Sequence, residues 1–450
     1  MRTFIIKILS LLVFLILTSC NQEWLEVRKD QKLVIPNTLA DYQALMDNIY
    51  VFNRGVESLL GELSSDDLYC LDSDWMVATD LHRYAYIWSP DVVDYYSQST
   101  SNDWNNYYQK VFYTNVVLEG LNKDQQYNNP NWRNAMGQAY FWRAWAFYHL
   151  AQQYCVPYES STINMEKGIP LPLVSDINIR YGRSSLLETY EQITFDVLQA
   201  ISFLSPGINN INRPSLEAAY GLLSRVLLQK GDYDSLYDYA SQALELTKPL
   251  INYNVVNATI NYPFEEGNQE VILNTSMSYT SSGMLIDGRM KIDTMLYDSY
   301  DILDKRKNLF FKKSGNYNTF KGTYSGGIRL FSGLSVDELY VNYLESAARI
   351  GVLEASNTKL QEWIKNRYDP NYVFNVDSKQ ALLDFVLEER RKQLVFRGLR
   401  WQDIRRLNTL HNQNIKPIRK INNMTYVLDN STRMYSFDIP KNVLVFNDLL

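Results

Sequence analysis

The stretch Leu387-Glu388-Glu389-Arg390-Arg391-Lys392-Gln393-Leu394, with Phe396-Arg397-Gly398-Leu399-Arg400-Trp401-Gln402-Asp403-Ile404-Arg405-Arg406-Leu407 behind it, interleaves charge and apolar residues in two successive helical patterns. On a helix, Arg390 falls on the same stripe as Val386, Leu387 and Leu394, which directs its guanidinium inward. An inward arginine needs a carboxylate within reach. Glu388 and Glu389 are adjacent, so they point about 100° apart and cannot converge as a catalytic carboxylate pair. The run therefore predicts a partly buried ion-pair network of Glu389, Arg390, Arg400, Trp401, Asp403 and Arg405. Its first helix is expected to be tied to the second through Arg400, Asp403 or Arg405.

Upstream of this run the pattern is mostly helical. Asp103 to Leu121 places Trp104, Tyr107, Tyr108, Val111, Phe112 and Val116 at helical spacing, and Trp132 to Tyr154 lines up Tyr140, Ala144, Phe147, Tyr148 and Ala151. Pro157 follows where that helix has to stop. Leu186 to Leu204 is a third helix, opened by Ser184-Ser185 and closed by Ser205-Pro206-Gly207. Two helix–turn–helix pairs come next. Ser215 to Gln229 turns at Gly231-Asp232 into Asp234 to Glu245. Val336, Leu339, Tyr340, Tyr343, Leu344 and Ala347 mark a helix that Gly351 ends before Leu353 to Trp363. Paired helices with small residues at the crossing (Ala218, Ala219, Gly221, Ser224) are similar to tetratricopeptide repeats.

Residues 55–102 and 251–335 differ from this scaffold, being rich in Gly, Asn, Ser, Thr, Asp and Tyr. Loops this long in a compact domain are functional or carry small elements of their own. In the first, His82-Arg83-Tyr84-Ala85-Tyr86-Ile87-Trp88 reads as a strand whose period of two sets Tyr84, Tyr86 and Trp88 on one face, with Trp75 nearby. Tyr279 and Tyr324 lie in the second. Such aromatic faces either stack on a sugar ring or pack on the scaffold, and both readings stand at this stage. If the two regions share one side of the scaffold, these six residues form one ligand site. Asp66, Asp67, Asp72, Asp74 and Asp80 fit no EF-hand spacing and read as a solvated acidic loop, with no metal assigned.

At the other end, Arg2 and Lys7 precede an apolar run from Ile8 to Leu17 that only Ser10 interrupts. That run is about half of the ~20 residues needed to cross a bilayer, so residues 1–19 read as a secretory signal. Leu17-Thr18-Ser19-Cys20 resembles the lipobox of bacterial lipoproteins, in which the Cys becomes a diacylated N-terminus. More than one acyl chain makes such anchoring effectively permanent. Losing Arg2 and Lys7 takes the formal charge from −6 to −8, a balance that disfavours nucleic acid. Only Cys70 and Cys155 then remain, too few for a disulfide framework.

Enzyme signatures do not surface. His82, His149 and His411 show no metal-ligand spacing, and His149 sits inside an aromatic helix as a core residue would. No nucleophile elbow, phosphate loop or dinucleotide fingerprint is present, and no cofactor is implied.

The motifs in their order resemble the SusD/RagB family. Glu389-Arg390 with Gly398-x-Arg400-Trp401-x-Asp403-Ile404-x-Arg406 is similar to the family's C-terminal run. Gln138-Ala139-Tyr140-Phe141-Trp142-Arg143-Ala144, continuing to Tyr154 and Val156-Pro157, resembles its N-terminal motif. Asp337-Glu338-Leu339-Tyr340 with Ala347-Ala348-Arg349-Ile350-Gly351 resembles a later repeat helix, and Phe437-Asp438-Ile439-Pro440 its closing segment. Cys155 departs from the family's usual Gly. The resemblance implies a mostly α fold of tetratricopeptide-like helix pairs in one domain from 20 to 450. Within it, 20–205 holds the first long helices, 206–367 the repeat-like pairs with insertion 251–335, and 368–450 the Glu-Arg and Arg-Trp segment. It further implies a non-enzymatic lipoprotein on the outer face of a Bacteroidetes outer membrane. There it would act as a lid on a SusC-like TonB-dependent transporter, capturing an oligosaccharide or, in some members, a peptide. An interaction scaffold that binds only protein, or a surface glycosidase marked by paired carboxylates, are the rival classes.

Overall fold

Helix α2 (Pro130–Tyr154) explains the architecture best. Asn129 caps it by accepting from the Asn131 and Trp132 amides, and Pro130 occupies the first turn, where no amide donor is missed. Nineteen of its 25 residues are buried, and a helix apolar all round belongs at the centre of a fold. Helix α1 (Asp103–Lys123) packs along one side of it and α3 (Leu186–Phe203) along another. Arg143 locks the three together. It reaches Asp196 of α3 through two bonds of 2.8 and 2.7 Å and Asn115 of α1 at 3.0 Å.

The computed structural model describes residues 36–92, 103–278, 285, 288–289, 291–376, 378–429 and 435–450. Cys20, with the lipid attachment expected there, and Tyr279 lie outside them. Leu39–Leu450 forms one compact unit, and no helix among the described residues is long and apolar enough to cross a membrane.

Helix α4 (Leu216–Lys230) and α5 (Tyr233–Leu246) form the first repeat-like pair, α6 (Val336–Ile350) and α7 (Leu353–Arg367) the second. Gly351 ends α6 at φ +89°, a left-handed cap that side-chain-bearing residues rarely accept. The pairs pack through α5 on α6, where the Tyr237 and Tyr343 rings stack at 4.9 Å. Helix α8 (Lys379–Gln393) lies on α6, and α9 (Arg400–His411) completes the scaffold. The predicted helices thus form, with ends shifted by at most four residues.

Strands are few and short, in four two-stranded antiparallel pairs among the described residues. β1 (Leu68–Tyr69) pairs with β3 (Lys291–Ile292), and β2 (Val271–Leu273) with β6 (Leu334–Ser335). β4 (Phe311–Ser314) and β5 (Tyr317–Phe320), like β7 (Ile418–Ile421) and β8 (Met424–Val427), form hairpins. Cys70 and Cys155 are buried and unpaired.

Of the six residues expected in one ion-pair network, only Arg390 and Asp403 pair with each other among the described residues. Arg390 Nε meets both Asp403 oxygens at 2.9 and 2.8 Å. Asp403 also accepts from Arg406, which grips Glu345 at 2.6 and 2.8 Å. Glu389 accepts from Trp363 and from Arg306, both at 2.7 Å. Arg400 does not join α8 to α9. It reaches Asp66 instead, at 2.6 and 2.9 Å. Arg405 bonds to the Gln152 and Cys155 carbonyls at the C-terminal end of α2, where a helix leaves acceptors unsatisfied and favours a cation. Trp401 packs with Tyr435 and Phe437 in a small separate cluster.

Candidate ligand-binding site

The His82 to Trp88 stretch of the first loop region does not form a strand. Asp80–Tyr86 is a helix capped by Thr79, preceded by a shorter helix at Asp72–Val77. Over seven residues the alternation of aromatics competes with a second pattern, His82, Ala85 and Tyr86 at i, i+3, i+4, and these three are the ones buried. Tyr84, Tyr86 and Trp88 consequently do not share a face.

Tyr86 is 1% exposed, and its hydroxyl accepts the Cys70 amide. Burial pushes its pKa up to about 12. Tyr324 is wholly buried, donating to Glu270 at 2.7 Å under the Arg397 guanidinium. Both are parts of the core rather than ligand-facing groups. Trp75, Tyr84 and Trp88 remain half-buried.

Trp75 and Trp88 are held in similar ways. The Trp75 indole donates to the Arg83 carbonyl at 3.2 Å, and the Arg83 guanidinium lies over the ring at 5.3 Å. The Trp88 indole donates to the Ser64 carbonyl at 3.0 Å, and Arg419 of the β7–β8 hairpin lies over its ring at 5.3 Å. Trp88 sits at φ +55°, a strained setting for a bulky residue that these contacts hold in place. Arg419 also reaches the Ser65 and Leu68 carbonyls and stacks at 4.2 Å on Tyr86.

Pairing of β1 with β3 brings the two loop regions together, matching Leu68 with Ile292 and Tyr69 with Lys291. Lys291 then reaches Asp74 at 2.6 Å and lies 5.5 Å over the Tyr317 ring. Tyr69, with Tyr317 and Asp293 as electrostatic neighbours, has its pKa raised by partial burial and then by those two groups. Tyr69 and Tyr317 were missed in the sequence. The Gly315-Asn316 turn between Phe311 and Phe320 was a hairpin signal that would have found Tyr317. Nothing local marks Tyr69, because its partner strand is more than 200 residues away. Met76 and Val77 add exposed apolar surface, each more than half accessible.

The acidic loop is ion-paired at four of its five aspartates, and Asp72 alone is exposed. Asp67 is buried beside Arg391, Asp66 is held by Arg400 and Arg391, Asp74 by Lys291 and Asp80 by Arg83. Burial first, then the neighbouring Asp67, raises the Glu62 pKa to about 8. No cluster of His, Cys, Asp and Glu fit to hold a metal occurs among the described residues. His149 stacks on Tyr107 with ring centroids 5.5 Å apart, and burial lowers its pKa to about 3, so the ring is neutral.

Residues 23–228 match a family model of SusD-like proteins, described as starch-binding and associating with the outer membrane. Over these residues, somewhat less than half of its length, the chain is similar to the SusD-like family. No curated protein sequence matches it. The fold of this chain is similar to that of a SusD superfamily protein from Bacteroides fragilis, at 21% identity and a TM-score of 0.74, covering 93% of this chain and 100% of that one. A SusD superfamily protein from Bacteroides thetaiotaomicron matches at 20% and 0.70, over 92% and 98%. A SusD-like carbohydrate-binding protein from Bacteroides vulgatus matches at 18% and 0.69, over 92% and 98%. At these identities the likeness is one of fold.

Among the described residues, three sizeable cavities of about 590, 360 and 610 Å³ lie elsewhere on the scaffold and are lined by none of Trp75, Tyr84, Tyr86, Trp88 and Tyr324. The residues brought together at the β1–β3 junction, Tyr69, Lys291, Asp74 and Tyr317, are the candidate site.

Proposed function

We propose that this SusD-like chain is a lipoprotein, anchored through Cys20 to the outer face of the outer membrane. In this reading it captures an oligosaccharide for a SusC-like TonB-dependent transporter and performs no chemistry on it. The observation that carries the reading is the β1–β3 pairing, which gathers Tyr69 and Tyr317 with Lys291 and Asp74 around one junction, with Trp75 next to Asp74 in its short helix. Flat apolar rings beside charged and hydroxyl groups are what a sugar face requires. Covering roughly 100–200 Å² of apolar sugar surface at about 25 cal/mol/Å² contributes ~2.5–5 kcal/mol before association entropy is subtracted. Weak, readily reversed capture suits delivery to a transporter.

Calorimetry on residues 21–450 against a panel of glycans and peptides tests the reading. Trp75→Ala is expected to weaken glycan binding by roughly 1–3 kcal/mol with little change in melting temperature. Trp88→Ala, which removes the ring between Ser64 and Arg419, is expected to lower the melting temperature instead. Binding of peptides alone, or an unchanged affinity in Trp75→Ala, would count against the site.

A further inference from the structure

Trp104, Tyr108 and Phe112 stand one turn apart along α1 and floor an apolar groove of about 360 Å³. Its second wall is the 170–181 loop, through Pro172, Val174 and Ile177. The third is the last described helix, α10 (Lys441–Phe446), through Val443 and Phe446. These walls are fixed. Asn115 of α1 donates to the Pro172 and Val174 carbonyls at 2.9 and 3.1 Å, and Ser175 donates to Glu119 from its amide and its hydroxyl, both at 2.6 Å. The Asn447 side chain donates to the Tyr181 carbonyl at 2.9 Å, which ties the end of α10 to the loop.

Four of the six residues of α10 are apolar, Val443 to Phe446, yet none of the six is buried. Apolar surface around most of a helix normally lies under cover. Here Ile177, Val445 and Phe446 are 82, 80 and 78% exposed, and Phe112, Val174, Ile179, Leu444 and Leu449 are each at least 40% exposed. At roughly 150–250 Å² for a large apolar side chain in full, these eight present on the order of 900 Å². The largest apolar patch on a monomer is about 300–600 Å², and a stable interface covers about 800 Å² of each partner.

We propose that this face is a dimer interface whose occupant is a second copy of the chain, related by a two-fold axis. Such an interface is separate from ligand capture and independent of the Cys20 anchor. A two-fold interface has to be complementary to itself, and this face is so in shape and in charge. The groove is a hole, and Val445, which stands exposed on α10 outside it, is a knob that the groove of the other copy can receive. Arg180 and Asp448 pair at 3.1 Å on the rim with side chains 63 and 81% exposed, so across the axis they can exchange partners with the same pair of the other copy. Asp176 lines the groove and Lys441 lies on α10, so these four charges cancel. A lipid surface is the poorer fit, because helices that lie on membranes carry a polar face rich in Lys and Arg.

Sedimentation velocity on residues 21–450 without detergent, from about 1 to 100 μM, tests the proposal. The expected result is a reversible equilibrium between monomer and dimer. Val445→Asp and Ile177→Asp alter side chains too exposed for the fold to depend on them, and each is expected to weaken dimerisation about tenfold or more. Arg180→Asp sets like charges against each other across the axis and is expected to weaken it as well, while Arg180→Asp/Asp448→Arg is expected to restore it. A protein that stays monomeric throughout overturns the proposal, as does a dimer that both Val445→Asp and Ile177→Asp leave intact. So does a monomer that floats with phosphatidylethanolamine/phosphatidylglycerol vesicles and loses that binding in the same variants, which would make the face a lipid surface. A monomer whose copurifying membrane protein is lost in those variants assigns the face to that protein and equally overturns the second copy.

Discussion

Replacing Asp403 with Ala removes a carboxylate that two buried guanidinium groups share. Arg390 approaches it at 2.8 and 2.9 Å and Arg406 at 2.8 Å, and none of the three residues is more than 3% exposed. Arg406 keeps a second partner, because Glu345 holds it through two bonds of its own. Arg390 keeps only the neutral Asn342 amide oxygen. Asp403→Ala therefore strands one full charge, while Arg390→Ala leaves Asp403 still facing Arg406. Breaking a buried pair costs about 3–5 kcal/mol, most of it the penalty on the charge left behind. Asp403→Ala is expected at the top of that range, about 5 kcal/mol, and Arg390→Ala at or below its lower end, about 3 kcal/mol. The double variant Arg390→Met/Asp403→Leu removes both charges and fills the space, so it should cost clearly less than the two single changes added together. Urea unfolding of residues 21–450, read by tryptophan fluorescence and circular dichroism with the m-value held as a check, measures all three. The reasoning fails if Arg390→Ala costs as much as Asp403→Ala, or if the double variant equals the sum of the singles.

Two buried groups give stability opposite dependences on pH. Burial lowers the His82 pKa from 6.5 to about 4, so the unfolded chain takes up a proton that the folded one refuses. Stability should fall as pH drops from 6.5 towards 4, and His82→Gln should flatten that fall in thermal melts. Glu62, raised from 4.5 to about 8, keeps a proton when folded that it loses when unfolded. Its contribution is lost between pH 4.5 and 8 at about 1.4 kcal/mol per unit, and Glu62→Gln should remove that slope. Arg419→Ala frees the β7–β8 hairpin from the 63–68 loop, and hydrogen exchange should accelerate over 63–88 while α2 stays protected. Cys20→Ala should leave protein that is released from membranes or unprocessed; membrane-bound, processed variant at wild-type levels would refute the proposed anchor.

The long helices and their order were legible because each carries its own signals: the Ser185–Glu188 capping box, the Asp232 cap, the glycine at 351 and the apolar stripes between them. These act within one or two turns, so a reader of the chain sees what the backbone responds to. The inward face of Arg390 was legible for the same reason. Which of Arg400, Asp403 and Arg405 ties its helix to the next was left open, and Asp403, the one carboxylate among them, is the residue that meets Arg390.

The sequence by itself determined a mostly helical scaffold, its capping points and the inward face of Arg390. Only the tertiary structure decided which aromatics stay at the surface. Seven residues from His82 to Trp88 satisfy both a strand and a helix period, and burial of His82, Ala85 and Tyr86 against the scaffold selects the helix. Tyr324 is indistinguishable in local sequence from a loop aromatic, yet it lies at the centre of a hydrogen-bonded core with Tyr253, Glu270 and Asp337. Tyr69 meets Lys291 across more than 200 residues of chain. Such encounters depend on the closing of the whole fold, and the energy that selects them is the burial of surfaces that become neighbours only then.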